Sequence, residues 1–114
     1  MGNYLDYSTL EQRMTAEKLN ALCNVADAEL TGLVTAVIER AEALVDSFAA
    51  VRYQVPLVRN ELLAEWTLRI AEYELYKRGP GSTVPEKIRE SYRECLERLG
   101  DLSSGKLQFS AEAA

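Results

Sequence analysis

The residues of this chain whose types and spacing come nearest to a reactive constellation are the carboxylates Glu39, Glu42 and Asp46, separated by three and four positions. On a helix that spacing sets all three on one face, the arrangement a cation site or an acid–base pair requires. Arg40 and the surrounding pattern favour a different reading, a charged face turned to solvent or to the lumen of an assembly. Cys23 and Cys95 occupy apolar positions in separate helical patterns with no second ligand pair nearby, so they read as buried free thiols. The chain has no histidine. That removes the usual general base near neutral pH, the usual triad base and the commonest zinc ligand. The expectation is a protein that is not an enzyme and needs no metal or cofactor.

Composition narrows the class. At 114 residues and 47% hydrophobic, with no internal shift in composition, the chain suits a single domain hiding roughly two-thirds of its unfolded surface. Thirteen basic against eighteen acidic residues leave a formal charge of -5, which disfavours a groove that neutralises many phosphates and reads duplex DNA. Asp6, Glu11 and Glu17 interrupt the first twenty residues, so no ordinary signal peptide is expected, and no run of eighteen apolar residues suggests a membrane span. A soluble protein made in the cytosol is expected.

The elements that would position these groups are helical. Ser8-Thr9-Leu10-Glu11 has the form of a capping box, predicting a short helix from about Thr9 to Met14. Thr15 suits the cap of a second short helix through about Cys23, with Leu19 and Leu22 on one face. From about Asp27 to Ala50, Leu30, Val34, Val37, Ala41, Leu44 and Phe48 recur at alternating steps of four and three, widened by Ile38 and Val45. This predicts a helix ~36 Å long. Leu63, Trp66, Ile70 and Tyr73 repeat the spacing from about Asn60 to Lys77, flanked by Leu62 and Tyr76. Trp66, Tyr73 and Tyr76 read as core packing rather than as an aromatic binding platform. Gly79-Pro80-Gly81-Ser82 breaks the pattern, and Pro85 opens a helix to about Leu102 with the seam Ile88, Tyr92, Cys95, Leu99 and Leu102. The fold class is all-α: a small bundle of three longer helices (residues 27–102) with a short N-terminal helical lobe (residues 1–26). Residues 103–114 read as an extended C-terminal arm, because Lys106-Leu107-Gln108-Phe109-Ser110 alternates polar and apolar residues.

Between the first two long helices lies Arg52-Tyr53-Gln54-Val55-Pro56-Leu57, where Pro56 biases Val55 away from helical geometry and the chain should form a rigid extended joint. Arg52 and Tyr53 carry planar groups suited to an interface core, or to pairing and capping within their own bundle. Pro56 and Leu57 suit fixing the joint and plugging the core. Lys77 and Arg78, at the end of the aromatic helix, complement the helix dipole and are also placed to meet carboxylates of a partner or phosphates of DNA. Leu107 and Phe109 suit either a hook on a neighbouring protein or packing on their own domain.

The run Ala41-Glu42-Ala43-Leu44-Val45-Asp46-Ser47-Phe48, followed by the joint, resembles the central signature of the Mu-like phage and prophage head-tail connector family. Ile70-Ala71-Glu72-Tyr73-Glu74-Leu75-Tyr76 is similar to that family's aromatic helix, and Tyr92 to Leu99 with the exit Gly105-Lys106 to its last helix. The resemblance spans about Thr15 to Leu107 in order. A proline common in the family before the aromatic helix is replaced here by Val58-Arg59-Asn60. The resemblance implies a virion structural protein at the neck: a homo-oligomeric ring, twelve-fold to match a portal, binding the portal protein and a tail terminator or other neck protein. DNA would pass as non-specific cargo through the lumen, and no membrane is involved. Arg52, Tyr53, Pro56, Leu57, Lys77, Arg78, Lys106, Leu107 and Phe109 are the candidate subunit and partner contacts under this reading. The alternative is a small helical adaptor or regulator acting as a dimer through the long helix; an enzyme using paired carboxylates and a metal is the third and weakest.

Overall fold

A computed structural model describes residues 4–79 and 84–107 of the chain. Its elements are the helices α1 (Tyr7–Met14), α2 (Ala16–Cys23), α3 (Asp27–Ala49), α4 (Glu61–Arg78) and α5 (Glu86–Ser104), with no strand among the described residues. The all-α expectation, three longer helices preceded by two short ones, holds.

Local chemistry sets most of the helix ends. Asp6 caps α1, its Oδ1 accepting the Thr9 amide at 2.8 Å. The expected Ser8–Glu11 box does not act as the cap, because the helix begins earlier, at Tyr7, and Ser8 already lies inside the first turn. Thr15 closes α1 and opens α2 at once: its amide returns to the Glu11 carbonyl and its Oγ1 accepts the Lys18 amide at 3.2 Å. This double duty holds Thr15 at φ 75°, a region costly for a β-branched residue. Asn24 ends α2 in the left-handed region that asparagine tolerates. Asn60 Oδ1 takes the Leu63 amide at 2.8 Å to open α4, and Pro85 precedes the first turn of α5. At the far end of α5, Gly105 stands at φ 89°, its amide bonded to the Leu102 carbonyl and that of Leu107 to Asp101.

The chain runs along α3, returns along α4 and advances again along α5. Arg52, just after α3, lies against Gly105 at the end of α5, while Gly79 at the end of α4 abuts Leu22 near the end of α2. α4 is the central element, packed on α2, α3 and α5. It buries Leu63, Trp66, Thr67, Leu68, Ile70, Ala71 and Leu75, so its apolar surface wraps round the helix instead of forming a narrow stripe. Thr67 tolerates this because its hydroxyl donates to the Leu63 carbonyl at 2.8 Å. From α3 the core takes Val34, Val37, Ile38, Ala41, Val45 and Ala49, and from α5 Cys95, Leu99 and Leu102. Both cysteines are buried free thiols, as expected.

Candidate interaction surface at the joint end

The joint of residues 50–60 closes one end of the bundle. The Val55–Pro56 peptide is cis, and Leu57 turns inward, 5% exposed, as the expected plug. Its amide is bonded to the Tyr4 hydroxyl oxygen at 2.7 Å. That hydroxyl in turn donates to Asp46 Oδ1 at 2.6 Å. One turn earlier on α3, Glu42 Oε2 accepts the amides of Tyr4 and Leu5, at 2.7 and 3.1 Å. Two carboxylates of α3 thus fasten the start of the described chain to the helix and, through one phenol, to the joint. Burial and the hydrogen bond to Asp46 raise the Tyr4 phenol well above its usual proton affinity, so it remains a donor at any ordinary pH.

This corrects the reading of Glu42 and Asp46 as a solvent or lumen face. Glu42 is 7% exposed; Asp46 is half-buried and only Glu39 is exposed. The row has neither a metal-ligand nor an acid–base geometry, because the oxygens of Glu42 and Asp46 hold protein donors. Cys95 is equally remote from a nucleophile: burial pushes its thiol up to about 12, and its Sγ sits 3.5 Å from the Trp66 carbonyl oxygen.

A second polar system crosses the molecule's flank. Arg13 of α1 pairs with Glu65 at 2.9 Å and lies 3.7 Å from Glu72; Arg69 pairs with Glu65 and with Glu94 of α5, each at 3.1 Å. The chain of charges runs α1 to α4 to α5 along one face of α4. Glu65 and Glu72, two turns apart, are shifted in opposite senses. Burial opposes ionisation of Glu65, yet hydrogen bonds from Arg13 and Arg69 outweigh it and lower the proton affinity. Glu72 is raised by burial, which Arg13 only partly offsets.

The candidate contacts fall into separate groups. Arg52 is exposed, its guanidinium against Gly105, and Pro56 is exposed on the joint. Tyr53 is half-buried on the core. Lys77 and Arg78 lie at the opposite end: Lys77 sits 3.5 Å from Glu74 and 5.6 Å from the centre of the Tyr73 ring, while Arg78 is exposed. Lys106 is exposed beside Leu107, which packs on its own core. The helix continues to Ser104, past residue 103 where the arm was expected to begin; the rest of that segment, from residue 108 and including Phe109, lies outside the described residues. The aromatics of α4 pack as expected: Tyr73 stacks on Tyr92 of α5 at 3.9 Å and 7°, and Lys18 covers Tyr76.

What the sequence reading passed over is where apolar surface stays exposed. Val51, Val58 and Leu62, at 66%, 58% and 42%, are the large exposed apolar residues among those described, and all three belong to the joint and the first turn of α4. The helical repeat sets Leu62 beside the buried stripe, and the fold leaves it exposed. The signal was present: from Ser47 to Asn60 the chain holds Arg52 and Arg59 and no acid, within an otherwise acidic sequence.

With this geometry in view, comparison with known families is decisive. The family model for Bacteriophage Mu, Gp36 matches residues 4–114. The chain belongs to the bacteriophage Mu Gp36 family. The match reaches further than the resemblance from Thr15 to Leu107, taking in the N-terminal lobe and the Tyr4 fastening, so the Gp36 family unit includes the lobe as well as the three-helix body. Membership makes this a Mu-like phage protein. No curated protein matches the chain.

Proposed function

We propose that the protein is a structural component of the virion neck, a head–tail connector whose copies form a ring beneath the portal through which DNA passes to the tail. The observation that carries the reading is the joint end: exposed Val51, Val58 and Leu62 gathered on one end of a body whose apolar helix faces are otherwise turned inward. Exposed apolar residues concentrated at one place on a small domain mark a surface that meets another protein. Membership of a phage family and resemblance of the joint to head–tail connectors supply the kind of partner: portal on one side, a tail terminator or other neck protein on the other. The overall charge of -5 suits a lumen that does not hold DNA by adhesion. The work is mechanical, with no enzymatic step.

A dimer through the long helix has less to recommend it. Val34, Val37, Ala41 and Val45 are already buried inside the chain, and the outward side of α3 presents Ala28, Thr31, Gly32, Ala43 and Ser47.

The test is genetic and morphological. A phage lacking the gene should accumulate DNA-filled heads and free tails, and the purified protein added to the extract should restore joining. Replacing Val51 and Val58 together by Ser should abolish that restoration while leaving the far-ultraviolet circular dichroism unchanged. Tyr53 and Leu107 are poorer probes, because both pack on the core of their own chain. Normal joining without the gene would refute the reading.

A further inference from the structure

We propose that neighbouring copies of this chain join through unlike surfaces: the Val51–Arg52 corner of one copy seats in the groove between α1 and α4 of the next, Arg52 meeting Glu61 and Val51 resting on Ala64 and Leu68. The inference rests on the ring reading above and names the contact that would build it.

The groove is a cavity of about 380 Å³ whose α4 wall is formed by Glu61, Ala64, Glu65 and Leu68, with Arg13 among the residues opposite. Its charges are not equivalent. Arg13 is matched by Glu65 and Glu72, and Glu65 by Arg13 and Arg69. Glu61 is exposed at the start of α4 and has no cationic partner among the described residues. The groove is therefore left with one carboxylate that no cationic side chain meets, above a small apolar floor. Arg52 is the converse: exposed, without a carboxylate partner among the described residues, and next to the most exposed large apolar side chain among them, Val51. A guanidinium beside an apolar knob complements a carboxylate beside an apolar hollow.

Position supplies the rest. Arg52 touches Gly105, so the corner lies on the α5 side of the molecule. The groove is lined by α1 and the first half of α4, with no residue of the joint or of α5. Corner and groove thus share no residue and are different surfaces of the chain, both towards the joint end. A contact between two different surfaces of the same chain does not use itself up in a pair; it repeats, and closes into a ring when the rotation per copy permits.

The experiment uses the full chain carrying Val51→Cys and Ala64→Cys under mild oxidation, with the unsubstituted protein as the control for Cys23 and Cys95, both buried. The expected result is a ladder of disulfide-linked dimers, trimers and larger species on a non-reducing gel, whereas a mixture of the two single variants stops at dimers. Adding Arg52→Glu to the double-cysteine chain should weaken the ladder by more than about tenfold, the scale of like charges forced together at an interface. Adding Glu61→Arg as well should restore it. A double-cysteine protein that stops at dimers, gives no ladder, or is indifferent to Arg52→Glu overturns the contact. Circular dichroism on each variant separates loss of contact from loss of fold. If the gene proves necessary for joining while no ladder forms, the connector role stands and this contact falls. A ladder from a protein dispensable for joining leaves the contact and removes the role.

Discussion

The N-terminal lobe is held to the body by two polar systems of opposite character. At the joint end, Glu42 and Asp46 bind the backbone and phenol of a segment whose Tyr4 and Leu5 are fully buried. On the flank, Arg13, Glu65, Arg69 and Glu94 form a string of ion pairs in which Arg13 and Glu94 are 44% and 68% exposed. The first replaces water around groups that have no other partner; the second competes with water that is still present. Removing one member should therefore be costly in the first system and slight in the second.

The largest effect expected is from Glu42→Ala, which leaves two buried amides without an acceptor and should lower unfolding stability by about 3 kcal/mol. Urea denaturation checks this, and Glu42→Gln, which retains an oxygen, should recover part of the loss. Equal stability of all three proteins would erase the contrast. Tyr4→Phe is next: the Leu57 amide loses its acceptor, for about 1–3 kcal/mol, and hydrogen exchange at that amide should accelerate more than at the Leu63 amide, which keeps its own cap.

The two carboxylates of the flank sharpen the comparison through pH. Glu72 has a raised folded-state proton affinity, so the cost of burying its charge is present above that raised value and gone below its usual 4.5. Glu72→Gln should then stabilise the protein at pH 7 by up to about 1 kcal/mol, an advantage that disappears as the medium is acidified below 4.5. Glu65 has the opposite sign. Its contribution is present above 4.5 and is lost as the pH falls through its lowered folded-state value. Glu65→Gln is the smallest change, costing less than about 1 kcal/mol at pH 7, because Arg13 and Arg69 are both partly in water. Thermal melts of the two variants across pH should diverge in these opposite directions.

What could be read from the sequence was governed by range. Thr15, Asn60 and Pro85 marked helix starts correctly because each acts on amides or dihedrals within a few residues. Asp6 and Ser8 are both good caps two residues apart, so the local pattern alone does not choose between them, and it is Asp6 that takes the Thr9 amide. The solvent reading of Glu42 and Asp46 failed because their partners lie 38 and 42 positions away, and a helical repeat says nothing about a segment arriving from outside the helix. Leu62 failed differently. A helix packed on three others has no clean apolar stripe, so the side that stays exposed cannot be told from periodicity. Of the interaction surface, the basic, acid-free character of residues 47–60 was visible, but the exposure of Val51 and Val58 required the fold.

The Tyr4 hydroxyl has a bearing on how the molecule is made. Tyr4 and Leu5 leave the ribosome well before their seats: Glu42 and Asp46 are synthesised some forty positions later, and the Leu57 amide fifty-three positions after Tyr4. The Tyr4 fastening cannot close until the joint has emerged, so this segment waits for a partner made well after it.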